Sequence, residues 1–211
     1  MASGFFVFPY NKAKGLSTLT QSYRSATGHK LHDTVIPVVE NRVQFTQVLE
    51  HTRYQTLLLR HCNIFDLVGP LEAAHRRGYS VYVNVDQMDG IYPDSAGLPY
   101  LAKRLHIAGI VSNHAKILSL GKSFGLETMQ RIFAVDSTGL ETALESVDRA
   151  YIDFLDISPA LVIPALPADL LKSLPLPFIG SGLVSTTQHV EAILRAGAQA
   201  VTVMRQELWS T

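Results

Sequence analysis

GIVSNHAKILSLGKSFGLETMQRIFA, residues 109–134, reads as strand, helix and strand in succession. Its opening run, Gly109-Ile110-Val111, is continuously apolar rather than alternating, as is Leu57-Leu58-Leu59 upstream. Runs of this kind belong to strands covered on both faces, as in parallel sheets. Asn113 precedes an amphipathic segment, 115–124, that ends at Gly125, and a second strand is expected over 128–134. The same alternation extends from Asp33 to the end of the chain. Further strands are expected over 34–39, 56–59, 81–85, 154–157, 177–180 and 200–203. Helices are expected between them over 43–51, 67–77, 98–105, 140–147, 166–174 and 187–196. Asn41, Asp66, Ser137-Thr138 and Ser185-Thr186 mark helix starts, Gly78 and Gly197 mark ends, and Pro167 falls in a first turn. A repeated strand–helix unit builds a parallel sheet through right-handed crossovers. About eight strands in about 180 residues suits an α/β, TIM-like (β/α) barrel better than a doubly wound sheet. The repeat is short for a barrel, so incomplete closure is an open expectation. After the last strand only Gln206–Trp209 remains, so the eighth helix is expected to be short or missing.

Composition agrees with one domain at 33–211. The chain has 211 residues, 47% apolar and 17% charged, which excludes a disordered chain. No run of eighteen apolar residues exists, so no membrane span is expected. The opening apolar run, Phe5 to Phe8, is short and has no basic residues before it, unlike a secretory signal. A single cysteine, Cys62, cannot form an internal disulfide. The expectation is a cytoplasmic protein. Residues 1–32 are rich in Ser, Thr, Gly and Tyr and read as a flexible extension or, through Lys12, Lys14, Arg24 and Lys30, as a basic arm. Formal net charge is +0, so nucleic acid would have to be gathered by a local patch, the extension or a homo-oligomer's surface.

In a parallel barrel the C-terminal strand ends converge on one mouth, so polar residues there are the candidate ligand contacts. They include Asn84, Asp86, Ser112, Gln130, Arg131, Asp156, Gly180, Ser181, Gly182 and Arg205. Arg131 interrupts an apolar strand and needs an anionic partner: Asp86, Asp136 or Asp156 within the chain, or an anion on a ligand. Gly180-Ser181-Gly182 is either a plain turn or a loop whose backbone amides, with a following helix N-terminus, hold phosphate. Arg205 lies after the last strand and could close such a site. His61, Cys62, Asp86, His114 and Asp156 lack metal-ligand spacing, and no metal is expected. No dinucleotide fingerprint or phosphate-binding loop follows a strand; Gly121-Lys122-Ser123 sits inside a helix. No strand carries a Schiff-base lysine and no nucleophile elbow is present.

Several stretches, taken in order and spacing, resemble the glycerol-3-phosphate-responsive antiterminator family of bacteria. They are residues 35–37, 83–90, 108–112, 125–133, 136–137, 153–157, 196–201 and 207–209, among them Val83-Asn84-Val85-Asp86 and Glu207-Leu208-Trp209. The resemblance implies a TIM-barrel-like fold. It further implies a regulator that binds glycerol 3-phosphate and then leader mRNA, preventing termination at glycerol-utilisation genes, with no cofactor and no turnover. The chain departs from the pattern at the mouth. Asn84 stands where the family has His, and Ser112-Asn113-His114 replaces a basic triplet. Ser158-Pro159-Ala160 replaces Leu-Pro-Gly, and Ser181-Gly182 replaces paired glycines. Ser185 replaces an arginine, and Val203-Met204 replaces Thr-Ser, with Arg205 next. The ligand expected is therefore glycerol 3-phosphate or a related phosphorylated small molecule. Two other readings stay open. One is a barrel enzyme using Asp86 and Asp156 as acid and base. The other is a sensor whose Phe5–Phe8 segment packs on a neighbouring subunit.

Overall fold

The computed structural model describes residue 31 and residues 33–209. The readings placed on residues 1–30, including the basic arm and the Phe5–Phe8 segment, lie outside the described residues. Eight parallel strands form the sheet: β1 (Val35–Val39), β2 (Thr56–Leu59), β3 (Ser80–Asn84), β4 (Gly109–Ser112), β5 (Glu127–Phe133), β6 (Phe154–Ser158), β7 (Phe178–Gly180) and β8 (Ala200–Val203). They follow one another around the ring in chain order and close it, with Val35, Ile36 and Pro37 of β1 in register with Val201, Thr202 and Val203 of β8. Closure is complete, which corrects the expectation of an imperfect ring. The short repeat is absorbed by the outer layer instead: one helix is cut to a few residues and the last is a single turn.

That layer holds α1 (Arg42–His51), α2 (Val68–Arg76), α3 (Gly97–Pro99), α4 (Ala115–Ser123), α5 (Ser137–Glu145), α6 (Ala168–Ser173) and α7 (Thr187–Arg195). Asn41 and Thr186 cap α1 and α7 through their side chains, accepting from the amides of Gln44 and His189. Three caps differ from the sequence expectation. Asn63, not Asp66, caps a 3₁₀ turn, Ile64–Asp66, that leads into α2. Asp136 rather than Ser137-Thr138 caps α5, accepting from the Gly139 amide at 2.7 Å. His114, not Asn113, stands at the start of α4, without a side-chain cap hydrogen bond, and the Asn113 amide donates to Asp86 at 2.8 Å. Pro167 precedes α6 instead of sitting in its first turn. α3 runs straight into a π-helical turn, Tyr100–Arg104.

Strand alternation divides the core in two. Outward side chains such as Leu57, Leu59, Val81, Val83 and Ile110 pack under the helices. Inward ones, including Ile36, Leu58, Tyr82, Met129 and Phe154, fill the ring. Tyr82 lies against Gly109, where an added Cβ would sit 2.7 Å from the ring. Its hydroxyl donates to the buried Glu127, and burial, reinforced by that carboxylate, holds the phenol well above its ordinary range. After β8 the eighth helix is reduced to a 3₁₀ turn, Gln206–Leu208, as expected from the sequence. Trp209 covers the space, buried, with its indole N–H donating to the Val203 carbonyl at 3.1 Å. Among the described residues no helix is long and apolar enough to cross a membrane.

Candidate functional site

The C-terminal mouth of the ring holds a cavity of about 440 Å³ between β1, β2 and the ends of β5 to β8. Val38 and Leu58 give it an apolar floor, the loop from Ser181 to Ser185 gives it a wall, and Arg60, Arg131 and Arg205 supply its charge. No carboxylate is among its lining residues.

Register explains Arg131. It is the Cα partner of Asp156 across β5 and β6, and both side chains take the inward phase set by Met129 and Phe154. The guanidinium donates Nε–H and Nη2–H to the same oxygen, Asp156 Oδ2, at 2.8 and 2.6 Å. Asp156 is 0% exposed and its other oxygen has no hydrogen-bond partner. The internal ion pair and the clamp position thus belong to one arginine: Asp156 holds it from behind, and the residue still lines the cavity.

The β7 loop differs in detail from the sequence reading. The Ser181 amide is consumed by the Ile157 carbonyl at 3.0 Å. The amides of Gly182, Leu183 and Val184 make no hydrogen bond within the described protein. Gly182 and Leu183 both adopt positive φ, 84° and 61°. A left-handed leucine, exposed on a cavity wall, is an uncommon conformation that costs free energy and concentrates at functional sites. Its identity as leucine gives no sequence signal for that conformation.

Arg60 lines the cavity but is not among the residues expected from the sequence. The signal was the period of two: Leu58 points inward, so Arg60 does too. Its Nε–H and Nη2–H reach Glu40 Oε1 at 2.9 and 2.7 Å, and Nη2 also touches Met204 Sδ at 3.0 Å. Arg205 is exposed on the rim and makes no side-chain hydrogen bond.

The remaining candidates fall elsewhere. Asn84, Asp86 and Ser112 do not line the cavity; they tie the end of β3 to the end of β4. Asn84 accepts from the Asp86 amide at 3.2 Å, and Asp86 accepts from Ser112 Oγ at 2.6 Å and from the Asn113 amide. Gln130 takes the outward phase of β5 and donates to Ser146 Oγ at 3.3 Å, beyond the end of α5. Gly180 also faces outward, under Ile193, Ala160 and Ile163, with no room for a Cβ. Period two again explains both: Gln130 and Gly180 adjoin the inward Arg131 and Ser181. Asp86 and Asp156 therefore do not face a common cavity as an acid–base pair would require. Among the described residues no three His, Cys, Asp or Glu side chains converge as metal ligands.

A neighbouring cleft of about 300 Å³ contains His61 and Cys62. Burial pushes the Cys62 thiol up to about 11. At pH 8 native Cys62 is therefore expected to alkylate at least about 100-fold more slowly than in the urea-unfolded chain. Iodoacetamide labelling followed by mass measurement tests this, and equal rates would contradict it.

A family model described as glycerol-3-phosphate responsive antiterminator matches residues 35–209. Among solved structures, the glycerol uptake operon antiterminator regulatory protein of Listeria monocytogenes is 21% identical, with a TM-score of 0.76 over 85% of this chain and 96% of that one. A glycerol uptake operon antiterminator-related protein of Thermotoga maritima is 21% identical, with a TM-score of 0.74 over 86% and 100%. The deoxyribose phosphate aldolase of Aeropyrum pernix is 16% identical, with a TM-score of 0.59 over 81% and 85%. At these identities the structural likeness is one of fold. No curated protein sequence matches the chain.

Proposed function

The chain belongs to the glycerol-3-phosphate responsive antiterminator family, and from that premise we propose that it is a cytoplasmic, ligand-dependent RNA-binding regulator. The ligand is glycerol 3-phosphate or a related phosphorylated small molecule, held at the barrel mouth. The RNA partner is the leader mRNA of glycerol-metabolism genes, and the outcome is transcription antitermination without turnover. One observation carries the ligand assignment: three arginines and three unengaged backbone amides surround a cavity that no carboxylate lines. Such a mouth repels nothing anionic and supplies both charge and directed N–H donors to a phosphate. Arg131 and Arg60 are already fixed by Asp156 and Glu40, so little side-chain freedom is lost when a ligand binds. That Asp86 and Asp156 are both engaged away from a shared cavity supports regulation over acid–base catalysis.

Thermal shift tests the ligand. Glycerol 3-phosphate at one hundred times its dissociation constant is expected to stabilise the fold by about 2.7 kcal/mol, or roughly 5–10 °C in Tm. Glycerol alone is expected to give no shift, and Arg205→Gln to remove most of it. A screen in which neither glycerol 3-phosphate nor any other polyol phosphate moves Tm would reject the assignment.

A further inference from the structure

The net charge of zero conceals a polarised molecule. On the face opposite the cavity, where helices return to strands, the sector under β2 to β5 is basic. Arg53 precedes β2, Arg76 and Arg77 end α2, and Lys103, Arg104 and His106 end the π turn before β4. All six are exposed.

Side-chain contacts make these groups one surface. Arg77 donates to the Leu49 carbonyl of α1. The His75 and His106 rings meet edge to face at 6.3 Å and join α2 to the π turn. Lys103 lies 5.8 Å over the Phe124 ring and joins that turn to the end of α4. Of the acids near it, Glu127 is buried against Tyr82, Asp33 accepts from the Gln55 amide at 2.8 Å, and Asp153 pairs with Lys122 at the end of α4. Glu50 is exposed in the last turn of α1 and Glu72 is exposed on α2.

Cations at helix C-termini are common because they answer the macrodipole. Two comparisons show more than that here. The other half of the same face is mixed, with Asp148, Arg149, Asp153, Lys172 and the Arg195–Glu191 pair. The cavity-side loops of the basic sector carry Glu40, Asp66, Asp86, Asp89 and Asp94 against Arg42 and Arg60. A polyanion is thus repelled from one end of this sector and attracted to the other.

We infer that the sector formed by the ends of α2, the π turn and α4 is the docking surface for RNA phosphates, on the side of the barrel away from the ligand cavity. The inference rests on the RNA-binding reading above and places the partner that reading requires. RNA and small ligand then occupy opposite ends of the ring and can be bound together, so neither displaces the other.

Filter binding with the full chain tests it. The probe is a labelled RNA stem-loop followed by a uridine tract, with glycerol 3-phosphate present and salt varied from low to physiological. R76E and K103E/R104E are each expected to weaken binding at least tenfold, and the double variant to reduce the salt slope by about 2. K172E and R195E, on the other half of the face, are expected to bind like the parent. All these side chains are exposed, and unchanged thermal melting shows that a loss is not unfolding. Parental affinity in R76E and K103E/R104E would overturn the surface while leaving the regulatory reading intact. A parent chain that binds no RNA at low salt would remove both.

Discussion

Arg131→Met is expected to destabilise the fold by about 3–5 kcal/mol, the usual cost of leaving a buried charge without its partner. Asp156 is wholly inaccessible, and Arg131 provides both hydrogen bonds to its one engaged oxygen. No water reaches the carboxylate to replace them. Arg131→Met/Asp156→Leu is expected to recover most of the loss, because two apolar side chains in register across β5 and β6 suit the ring interior. The double variant is nevertheless expected to bind the phosphorylated ligand at least tenfold more weakly, since the clamp is gone. Urea unfolding followed by far-ultraviolet dichroism gives the stabilities. A single variant within 1 kcal/mol of the parent would show that Asp156 does not depend on Arg131.

Trp209→Ala is expected to cost about 3–5 kcal/mol, the range for truncating a large buried aromatic side chain. The reason is the thin cover over β8. Elsewhere around the ring a helix covers the outer face of a strand, but among the described residues after β8 there is only a 3₁₀ turn and this indole. The Val203 carbonyl also loses its N–H donor. Trp209→Phe, which keeps most of the apolar area, is expected to lose less than half as much. Guanidinium unfolding by dichroism compares the three proteins. A Trp209→Ala midpoint equal to the parent's would mean that the terminal turn contributes nothing to the barrel.

The fold was legible because short apolar runs such as 57–59 and 109–111 recur between amphipathic segments, the pattern of strands covered on both sides and joined by parallel crossovers. Closure was not legible, because it depends on whether the outer layer can shrink, as α3 and the last turn do. The site was readable in part. Arg131, Ser181, Gly182 and Arg205 line the cavity at the mouth. Treating every polar residue at a strand end alike, without its phase, brought in Gln130 and Gly180 and left out Arg60. Asp86 and Ser112 carried a different ambiguity: a carboxylate at a strand end can receive a ligand or bind the next loop, and here it binds the loop. The free amides after Gly182 could not be foreseen, since they depend on a leucine held at positive φ.

A sheet that rejoins itself has no selvedge. Because β1 is bonded to β8 along three residue pairs, neither strand offers an unpaired row of backbone donors and acceptors to another chain. Stacking of strands between molecules, the commonest route from a β-rich fold to fibrils, would first require the ring to be torn open. Barrels of this protein can therefore meet each other only through their helices and loops, whose side chains, unlike a bare backbone, discriminate one partner from another.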